Sequence, residues 1–511
     1  MATSLDVDNE NSDSDLSADV AAASDTGNEN DSSGAFSDSP STSRPPAPAP
    51  TTPFPTHLSD LAPQETLVPN LYKTLHALHQ HTLAPLPRLR SIATDAAFVT
   101  SLRRATGLPL IANERCGAWY IPPALKAASA YFKSTDGHYG QWAFSLRRLN
   151  LQVLDVLGAQ GGGVLVDSTR RGKAWPDALR RTVPLWVAVV DNVLWGGRVE
   201  EGGDGRGREG LQTPEGEEGV GESERAQVEA RLAAWEGEFR GLGLDLGELR
   251  RRVKRRIRCV WVANGAWEPD GWAEKIRGMG DFNVLVLASA SRRVRGAEMS
   301  EGGYVQGAGD DSEGWARGLT SQLWWENKDR LLAAGEGDVE DMIGEIVATA
   351  KATESVGQGT RIEKASNLFV GAGRREECDG FDLVINCQGG GKDGKSLLNL
   401  KCREGKLGSK DLRDKLASAK DVAGAVLQQN PHSRILVTCS SGKDLSIGTA
   451  LSLICLFFSD TGELNAARQP YFIDKMVIKQ RLVWISSCKS DANPSRATLQ
   501  AVNSFLIDRP G

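Results

Sequence analysis

The chain contains 511 residues, of which 40% are hydrophobic and 25% charged, a composition typical of a globular protein rather than a fibrous or fully disordered one. Its formal net charge of −6 does not by itself indicate a nucleic-acid-binding protein. The charge is unevenly distributed, however, because residues 1–50 carry ten acidic residues and one basic residue. The rest of the chain is therefore slightly basic.

Cysteine usage and hydropathy exclude several classes of protein. The eight cysteines show neither CxxC pairs nor Cys/His metal spacing, so we predict free thiols, no zinc site and a reducing, cytoplasmic setting. No apolar stretch approaches the ~20 residues that a membrane-spanning helix needs. The acidic amino terminus lacks the apolar region of a secretory signal.

The pattern along the chain predicts an α/β protein of two domains behind a disordered tail. Residues 1–56 are rich in Ser, Asp, Ala and Pro and have too little apolar surface to fold. An N-terminal domain at 57–345 and a C-terminal domain at 361–511 follow, with a charged helix near Asp338–Lys351 at the join. In both domains short β-rich runs alternate with helical patterns, which favours α/β architecture.

Four apolar runs in the N-terminal domain predict strands: Gly163–Val166, Val183–Val190, Cys259–Ala263 and Val284–Ala288. The Gly/Glu-rich residues 197–224 predict a flexible surface insertion, and residues 225–258 predict a charged helix. That helix ends in Arg250–Arg258, with seven cations in nine positions, and a second basic stretch runs from Arg147 to Arg181. Such stretches attract phosphate backbones, although a solvated helix face is an equally good interpretation of residues 250–258.

The predicted strand at Gly163–Val166 leads directly into a turn rich in hydroxyl groups and cations. Backbone N–H groups, hydroxyl groups and cations in such a turn converge readily on phosphate oxygens. The string Lys133-Ser-Thr-Asp136 repeats this chemistry upstream, and two such turns suit a ligand with phosphates at both ends. A structural turn with solvated arginines is the alternative. The candidate phosphate-binding residues are Lys133, Ser134, Thr135, Ser168, Thr169, Arg170, Arg171 and Lys173.

Carboxylates and one histidine near these turns are candidates for proton transfer and metal binding. Asp136, His138 and Asp167 are candidates to accept the proton of an attacking hydroxyl group. The pair Asp310 and Asp311 is a candidate site for Mg²⁺, which prefers oxygen ligands and substrate phosphates. The alternatives are a hydrogen-bonded structural histidine and turn-forming aspartates.

Four strings closely resemble the signature segments of the fungal and plant initiator tRNA phosphoribosyltransferases. They are YFKSTDGH, QWAFSLRRLNL, VDSTRRGKAWPDAL and YVQGAGDD, and they occur in that order between Cys116 and about Trp325. The resemblance implies transfer of a ribosyl phosphate from 5-phosphoribosyl-1-pyrophosphate to a ribose 2′-hydroxyl of a T-stem purine in initiator methionine tRNA. It also implies that the modified tRNA is excluded from elongation, and we expect no membrane or DNA partner. The fingerprint of the common phosphoribosyltransferases, two acidic residues before a Thr-Gly-rich loop, is absent, so their fold is not expected.

Two phosphate-binding patterns occur in the C-terminal domain. Gly389–Ser396 matches the P-loop pattern, but the strand-like run Leu397–Cys402 follows where a P-loop requires a long helix. A predicted strand at Ile435 leads instead into a Cys-x-x-Gly loop and a buried helix at Ile447–Phe457, which resembles the phosphate loop of dual-specificity phosphatases. The loop residues are Cys439, Ser440, Ser441, Gly442, Lys443, Asp444 and Ser446.

The flanking patterns agree with a small phosphatase-like domain over about residues 365–460. They predict strands at Asn367–Gly371, Leu383–Cys387 and Leu398–Leu400, a helix at Lys410–Ala425, and a terminal helix capped at Ser495. The motif departs at one position, because Leu445 stands where those enzymes have the arginine that clamps phosphate. We therefore predict that this domain binds phosphate without hydrolysing it. A phosphatase and a non-catalytic tRNA-binding protein are the alternative functions.

Overall fold

The computed structural model describes residues 84–507, except 171, 198–203, 217–218, 295–302, 354–358, 374–379, 389–391, 404, 466–472 and 490. The predicted tail at 1–56, Arg171 and the first three glycines of the P-loop pattern therefore lie outside the described residues. Helices and two five-stranded, mainly parallel sheets make up the described chain. The predicted α/β fold class is confirmed.

The first sheet is wholly parallel, with strand order β2-β1-β3-β5-β4. Its strands are β1 (Leu110–Asn113), β2 (Lys126–Ala130), β3 (Gly162–Asp167), β4 (Ile257–Ala263) and β5 (Asn283–Ser289). Both β3 and β5 are buried along their whole length, because apolar side chains pack on both faces of a parallel sheet covered by helices. The strands predicted at Gly163–Val166, Cys259–Ala263 and Val284–Ala288 are confirmed.

Nine helices of the described chain accompany this sheet. They are α1 (Pro85–Thr106), α2 (Leu151–Gln160), α3 (Val183–Trp195), α4 (Glu222–Arg240), α5 (Leu246–Val253), α6 (Trp272–Gly278), α7 (Ser312–Trp315), α8 (Ser321–Ala333) and α9 (Val339–Thr353). Alternate strand residues enter opposite cores: Leu165 and Leu285 pack on one face, and Val164 and Val286 on the other. The charged helix predicted near Asp338–Lys351 is α9.

The strand prediction for Val183–Val190 is wrong, because this run forms α3. A short apolar run without clear periodicity fits a buried helix as well as a buried strand. The run extends to Trp195, and every residue of α3 before Trp195 is buried. Pro184 stands in the first helical turn, where a helix tolerates proline.

The single helix predicted at 225–258 is also wrong, because the segment contains two helices and the start of a strand. Helix α4 ends at Arg240, before Gly241 and the left-handed Gly243. Helix α5 then starts at an Asp245 cap, whose side chain accepts a hydrogen bond from Glu248 N at 2.9 Å. The glycines and the cap are local signals that end one helix and begin the next.

The described part of the predicted surface insertion packs on the sheet. Leu211 is buried in the first-sheet core. Gln212 Nε2 donates to Ile257 O at 2.9 Å, and Gln212 Oε1 accepts from Cys259 N at 2.8 Å. These two bonds satisfy backbone groups of the edge strand β4 that would otherwise be unpaired.

The basic stretch at 250–258 binds within the chain rather than forming a free cationic face. Arg256 is 1% exposed in its side chain and pairs with Asp204, and Arg252 pairs with Asp155. Backbone carbonyl groups accept from Arg250, Lys254 and Arg255. Most of these cations therefore hold the helix and strand termini together.

The second sheet has strand order β6-β7-β10-β8-β9, and only β6 is antiparallel to its neighbour among the described strands. Its strands are β6 (Thr360–Arg361), β7 (Leu368–Ala372), β8 (Leu383–Asn386), β9 (Leu397–Asn399) and β10 (Ile435–Cys439). The helices are α10 (Gly405–Gln429), α11 (Leu445–Phe457), α12 (Lys475–Cys488) and α13 (Arg496–Ile507). The elements predicted for this part of the chain are confirmed, including the strand after the P-loop pattern and the Ser495 cap, which accepts from Thr498 N.

The C-terminal elements contact the first sheet's helical layer through α12. Val483 of α12 is buried in the first-sheet core, and Met476 packs against it. Gln480 Nε2 donates to Gly241 O at 3.3 Å. Among the described helices, none combines the length and apolar character needed to cross a membrane.

Candidate active site

The strand order of the first sheet reverses between β1 and β3, so their carboxyl ends flank the point of reversal. Strand β2 lies on one side of β1, and β3, β5 and β4 lie on the other. In open parallel sheets the loops at such a reversal separate and leave a crevice in which ligands bind. The loops that leave β2, β3 and β5 at this edge contain the N-terminal residues predicted to be functional, and the loop after β5 runs as far as Asp310 and Asp311 before α7.

Arg115, which follows β1, is the centre of a buried charge cluster. It pairs with Asp167 at 2.9 Å, with Asp310, and with the backbone oxygen of Ser168. Asn113 Nδ2 donates to the second Asp167 oxygen at 2.8 Å. Burial alone would lower the pKa of Arg115, but the carboxylates of Asp167 and Asp310 raise it above its ordinary value. The cluster therefore joins the loops after β1 and β3 to the segment before α7.

The two carboxylates of this cluster, Asp167 and Asp310, are both buried. Asp167 is fully buried, and its oxygens accept from Asn113, Arg115 and Ser168 N. Burial raises the pKa of Asp310 to about 6, an effect that Arg115 opposes and Asp167 reinforces. The contacts of Asp167 are those of a residue that fixes loops, and the prediction that it is catalytic stays a prediction.

A chain of hydroxyl groups lies beneath the same loops. Ser168 Oγ lies 2.6 Å from Ser291 Oγ, and Ser291 Oγ donates to Asp95 Oδ2 at 3.0 Å. The Tyr304 hydroxyl donates to the same Asp95 carboxyl at 2.9 Å. Burial raises the pKa of Asp95 to about 7, against the opposing effect of these hydrogen bonds. Ser168 thus faces the interior and ties the loops after β3 and β5 to α1.

Asp177 brings together residues from the two predicted phosphate turns. Its Oδ2 lies 3.6 Å from His138 Nε2 and 3.3 Å from Lys173 Nζ, and its Oδ1 lies 3.0 Å from Arg181 Nη1. Thr182 Oγ1 donates to Lys133 O at 3.0 Å, which fixes the first turn against the start of α3. His138 is 48% exposed in its side chain and Lys173 56%. Both side chains are therefore accessible from solvent while their positions are restrained.

The other predicted residues occupy the rim of this region. Ser134, Thr135 and Asp136 form a helical turn, in which Thr135 is exposed and the other two are half-buried. Lys133 lines a small cavity with Asp136 and Arg148. Thr169 is buried, while Arg170 lies 2.7 Å from Asp311 and 3.8 Å from Asp310. The structure thus brings the segments 133–138, 168–170, 172–173 and 310–311 to one edge of the sheet.

Gly307 shows how closely these segments pack. Its φ of +66° lies in the left-handed region, and an added Cβ would stand 2.4 Å from Arg170 Cγ and 2.7 Å from Thr169 O. Only glycine fits such a position without displacing the loop after β3. The glycines of YVQGAGDD therefore serve the close approach of this string to the predicted phosphate turn.

The described residues do not form a complete metal site. No group of three or more His, Cys, Asp or Glu side chains in the described chain is arranged to hold an ion. Asp310 is engaged by Arg115 and Arg170, whereas Asp311 is 70% exposed in its side chain. This donor set fits Mg²⁺ only as an ion shared with substrate phosphates, which is a common mode for that ion.

The phosphate-loop pattern of the second sheet forms a cradle around Cys439 at the end of β10. Cys439 Sγ lies 3.1 Å from Ser446 Oγ and 3.7 Å from Ser441 Oγ. Burial acts to raise the pKa of the thiol, but bonds from Ser446 and from the backbone of Asp444 and Ser446 outweigh it and lower the pKa. An added Cβ at Gly442, with φ of +65°, would stand 2.7 Å from the backbone nitrogen of Ala372. The loop is therefore folded closely around the Cys439 thiol, and its predicted binding of phosphate stays a prediction.

Four positions of this loop make contacts within the chain. Leu445 is 4% exposed and packs in the second-sheet core. Asp444 accepts from Ser495 N at 2.8 Å and from Thr498 Oγ1 at 2.5 Å. Lys443 Nζ lies 3.6 Å from Asp491 Oδ2, and Ser440 N donates to Gln388. The loop itself thus supplies no arginine to a bound phosphate.

Arg115, Asp95 and Ser291 are central to the site and were not found by sequence reasoning. Arg115 and Ser291 each follow a buried strand by two residues. A search for polar residues directly after apolar strands would have found both. Asp95 lies in α1 among apolar neighbours, and no local signal distinguishes it from a solvated helix residue.

Comparison with known proteins shows the family to which the chain belongs. Residues 78–348 match the family model described as the Rit1 N-terminal domain, and residues 396–506 match the Rit1 DUSP-like domain. The chain is 29% identical over 495 residues to the tRNA A64-2′-O-ribosylphosphate transferase of Saccharomyces cerevisiae, covering 82% of this chain and 91% of that protein. It is 31% identical over 452 residues to an uncharacterised protein of Schizosaccharomyces pombe, covering 84% of this chain and 96% of that protein. The chain therefore belongs to the Rit1 family of initiator tRNA phosphoribosyltransferases.

Proposed function

We propose that the chain transfers a ribosyl phosphate from 5-phosphoribosyl-1-pyrophosphate to a ribose 2′-hydroxyl of a T-stem purine in initiator methionine tRNA. The reaction would take place in the cytoplasm and would exclude the modified tRNA from elongation. The observation that carries the proposal is the convergence at Asp177, where His138 and Lys173 meet from separate turns. A proton acceptor and a phosphate-binding cation are thus adjacent at the crevice of the first sheet.

His138 is the residue best placed to accept the proton of the attacking hydroxyl. Asp177 lies against Nε2 and favours the tautomer that carries its proton there, which leaves Nδ1 to act as the base. The 2′-oxygen then forms a bond to C1 of the donor ribose as the bond from C1 to pyrophosphate breaks. The hydroxyl proton passes to His138, and pyrophosphate leaves with the electron pair. Asp136, which lies on the same turn, is the second candidate base.

Cations at the rim bind the phosphate groups of the donor. Lys133 and Lys173 lie on the two turns, and Arg170 of the second turn pairs with Asp311. Ser134 and Thr135 add hydroxyl groups at the first turn, and Arg171 remains a candidate of the second. Positive side chains fixed before the reaction stabilise the charge that develops on the departing pyrophosphate.

Asp310 and Asp311 would hold Mg²⁺ together with the phosphate oxygens of the donor. Bound there, it would neutralise pyrophosphate charge as a Lewis acid. A binding titration tests this role apart from catalysis. Adding Mg²⁺ should strengthen the binding of 5-phosphoribosyl-1-pyrophosphate to the wild-type chain, and should strengthen it much less in Asp311→Asn.

Label transfer from radioactive 5-phosphoribosyl-1-pyrophosphate to purified initiator tRNA tests the proposed function directly. The expected result is labelled initiator tRNA and unlabelled elongator methionine tRNA. A non-catalytic tRNA-binding protein would shift the tRNA in a gel without labelling it. A phosphatase would release phosphate from a phosphoester and label neither tRNA.

A further inference from the structure

Gln306 is a fully buried glutamine beside the second predicted phosphate turn, which follows β3. Its Oε1 atom accepts hydrogen bonds from Gly172 N at 3.2 Å and from Val294 N at 2.8 Å. Its Nε2 atom donates to Lys173 O at 2.8 Å. The two N–H donors can bind only the oxygen of the amide, so its partners fix the orientation of the side chain. One amide therefore joins the turn after β3 to the loop after β5.

The conformation of this turn depends on partners outside it. Within the turn, Lys173 N donates to Arg170 O at 3.5 Å, which is longer than the roughly 2.7–3.2 Å of ordinary N–H···O bonds. Gly172 has a left-handed φ of +70°, and an added Cβ there would stand 3.2 Å from Val294 O. Its carbonyl oxygen accepts a hydrogen bond from Arg293 Nε. The loop after β5 and the glutamine amide therefore fix the backbone of the turn.

The backbone on both sides of Gln306 is anchored to other elements. Val305 N donates to Ser91 Oγ of α1 at 2.9 Å. Gly307 N donates to Ser291 Oγ, after β5, at 3.0 Å. A buried side chain on an anchored backbone has few other conformations available to it, which is what a precise site requires of its supporting residues. Gln306 is therefore a rigid support for the turn.

The side chain that this support positions is that of Lys173. Its Nζ lies 3.3 Å from Asp177 Oδ2, and 56% of the side chain is exposed. A lysine is a flexible point charge, so its contribution to binding depends on how well its backbone is fixed before the ligand arrives. We propose that Gln306 is a positioning residue, which holds the backbone at Gly172 and Lys173 so that the Lys173 ammonium meets the pyrophosphate group of the donor.

Gln306 acts only through the turn, because its amide is buried and contacts backbone groups. The role rests on the proposed function in one respect, namely that the turn binds 5-phosphoribosyl-1-pyrophosphate. It predicts that Gln306 and Lys173 act as one unit. Removal of either side chain should weaken donor binding. Removal of both should weaken it no further than removal of Lys173 alone, because a displaced turn cannot impair a contact that is already absent.

Calorimetric titration of the full chain with 5-phosphoribosyl-1-pyrophosphate and Mg²⁺ tests the proposal. Gln306→Met removes all three hydrogen bonds while filling a similar volume, and it should weaken donor binding about tenfold. The matched control is Gln212→Met, because Gln212 also bridges two backbone groups, those of Ile257 and Cys259. These two residues lie in the first half of β4, away from the carboxyl edge, so the control should bind the donor as the wild type does.

A double variant shows whether Gln306 acts through Lys173, which a general loss of packing would not do. Lys173→Ala combined with Gln306→Met should bind the donor as weakly as Lys173→Ala alone. The proposal is overturned if folded Gln306→Met binds the donor as tightly as Gln212→Met, if Lys173→Ala leaves donor binding unchanged, or if the two losses add in full.

A shorter amide provides the test if Gln306→Met loses its cooperative melting transition. Gln306→Asn keeps the amide but lacks one methylene group, so it cannot reach all three partners, and donor binding should again weaken. Wild-type affinity in folded Gln306→Asn would contradict the proposal.

Label transfer separates this inference from the proposed function. A chain that labels initiator tRNA, with the same KM for the donor in Gln306→Met as in the wild type, contradicts only this inference. A chain whose donor binding depends on Gln306 and Lys173, but which labels no tRNA, contradicts only the proposed function.

Discussion

The two sheets of this chain have similar carboxyl edges but carry different side chains there. In each, a buried parallel strand, β3 or β10, ends in a polar loop rich in hydroxyl groups. At the first edge, loops from β1, β2, β3 and β5 contribute cations, carboxylates and His138. At the second, one loop surrounds the Cys439 thiol and leads into α11. The backbone can prepare an anion site with a single loop, whereas proton transfer and charge stabilisation need side chains from several loops.

The comparison predicts that the first edge carries the chemical step, and His138→Gln should have the largest effect. Loss of the general base should lower kcat for label transfer by about 10²–10⁴-fold with little change in KM. The exposed His432 lies in a turn of the second domain and provides the control variant His432→Gln. Equal kcat values for the two variants would remove His138 from the reaction.

Arg115 tests whether the first edge depends on a buried charge cluster. Arg115→Met leaves Asp167 and Asp310 without their common partner, and breaking such a pair typically costs about 3–5 kcal/mol. Urea unfolding measures the loss. The exposed pair Arg277–Glu274 provides the control, since Arg277→Met should cost less than about 1 kcal/mol. Similar losses in the two variants would show that the Arg115 cluster is dispensable.

Lys173 tests the assignment of the phosphate-binding cations. Lys173→Ala should lower kcat/KM for 5-phosphoribosyl-1-pyrophosphate by about 10²–10³-fold, because a preorganised charge contact to the leaving group is lost. Steady-state kinetics with saturating tRNA measure it, and Lys410→Ala, at an exposed position of α10, is the matched control. A loss of only a few-fold would place the donor elsewhere.

The raised pKa of Asp95, at the first edge, predicts that the stability of the chain depends on pH. Its pKa is about 7 in the folded chain against 3.8 for an ordinary aspartate, so between these values the folded state holds a proton that the unfolded state has released. Its contribution to stability is therefore complete below about pH 4 and is lost as the pH rises through 7, on the order of a few kcal/mol. Asp95→Asn should flatten the decline of Tm between pH 4 and 7. An unchanged slope would contradict the protonation of Asp95.

The smallest effect is expected at the second edge, in hydrolysis of small aryl phosphates. The wild type and Cys439→Ser should release phosphate at the same background rate, because the loop itself provides no arginine to clamp the transition state. Colorimetric phosphate release measures it. Release that depends on Cys439 would revive the phosphatase alternative and remove the contrast between the two edges.

Prediction from sequence succeeded where local patterns are unambiguous. Apolar runs bounded by turn residues identified β3, β4 and β5 of the first sheet and β7, β8, β9 and β10 of the second, and the Cys439 loop was recognised from its spacing. The strands β1, β2 and β6 were not predicted. Val183–Val190 was misassigned because an unbroken apolar run has no period, and only its packing between neighbours makes it a helix. The site itself was found in pieces, and its residues remain predictions until variants are measured.

The sequence by itself determined the fold class, the family and the strings that carry the candidate chemistry, because these depend on short-range pattern and composition. Tertiary structure alone decided which residues meet. Arg115 reaches Asp310 across 195 positions, and Arg148 reaches Asn493 across 345. The same long-range pairing neutralises the conspicuous basic stretch at 250–258 and leaves the sparser cations at the sheet edge accessible. Which residues pair over such separations depends on the strand order of the sheet and on helix packing. No short segment of the sequence specifies these.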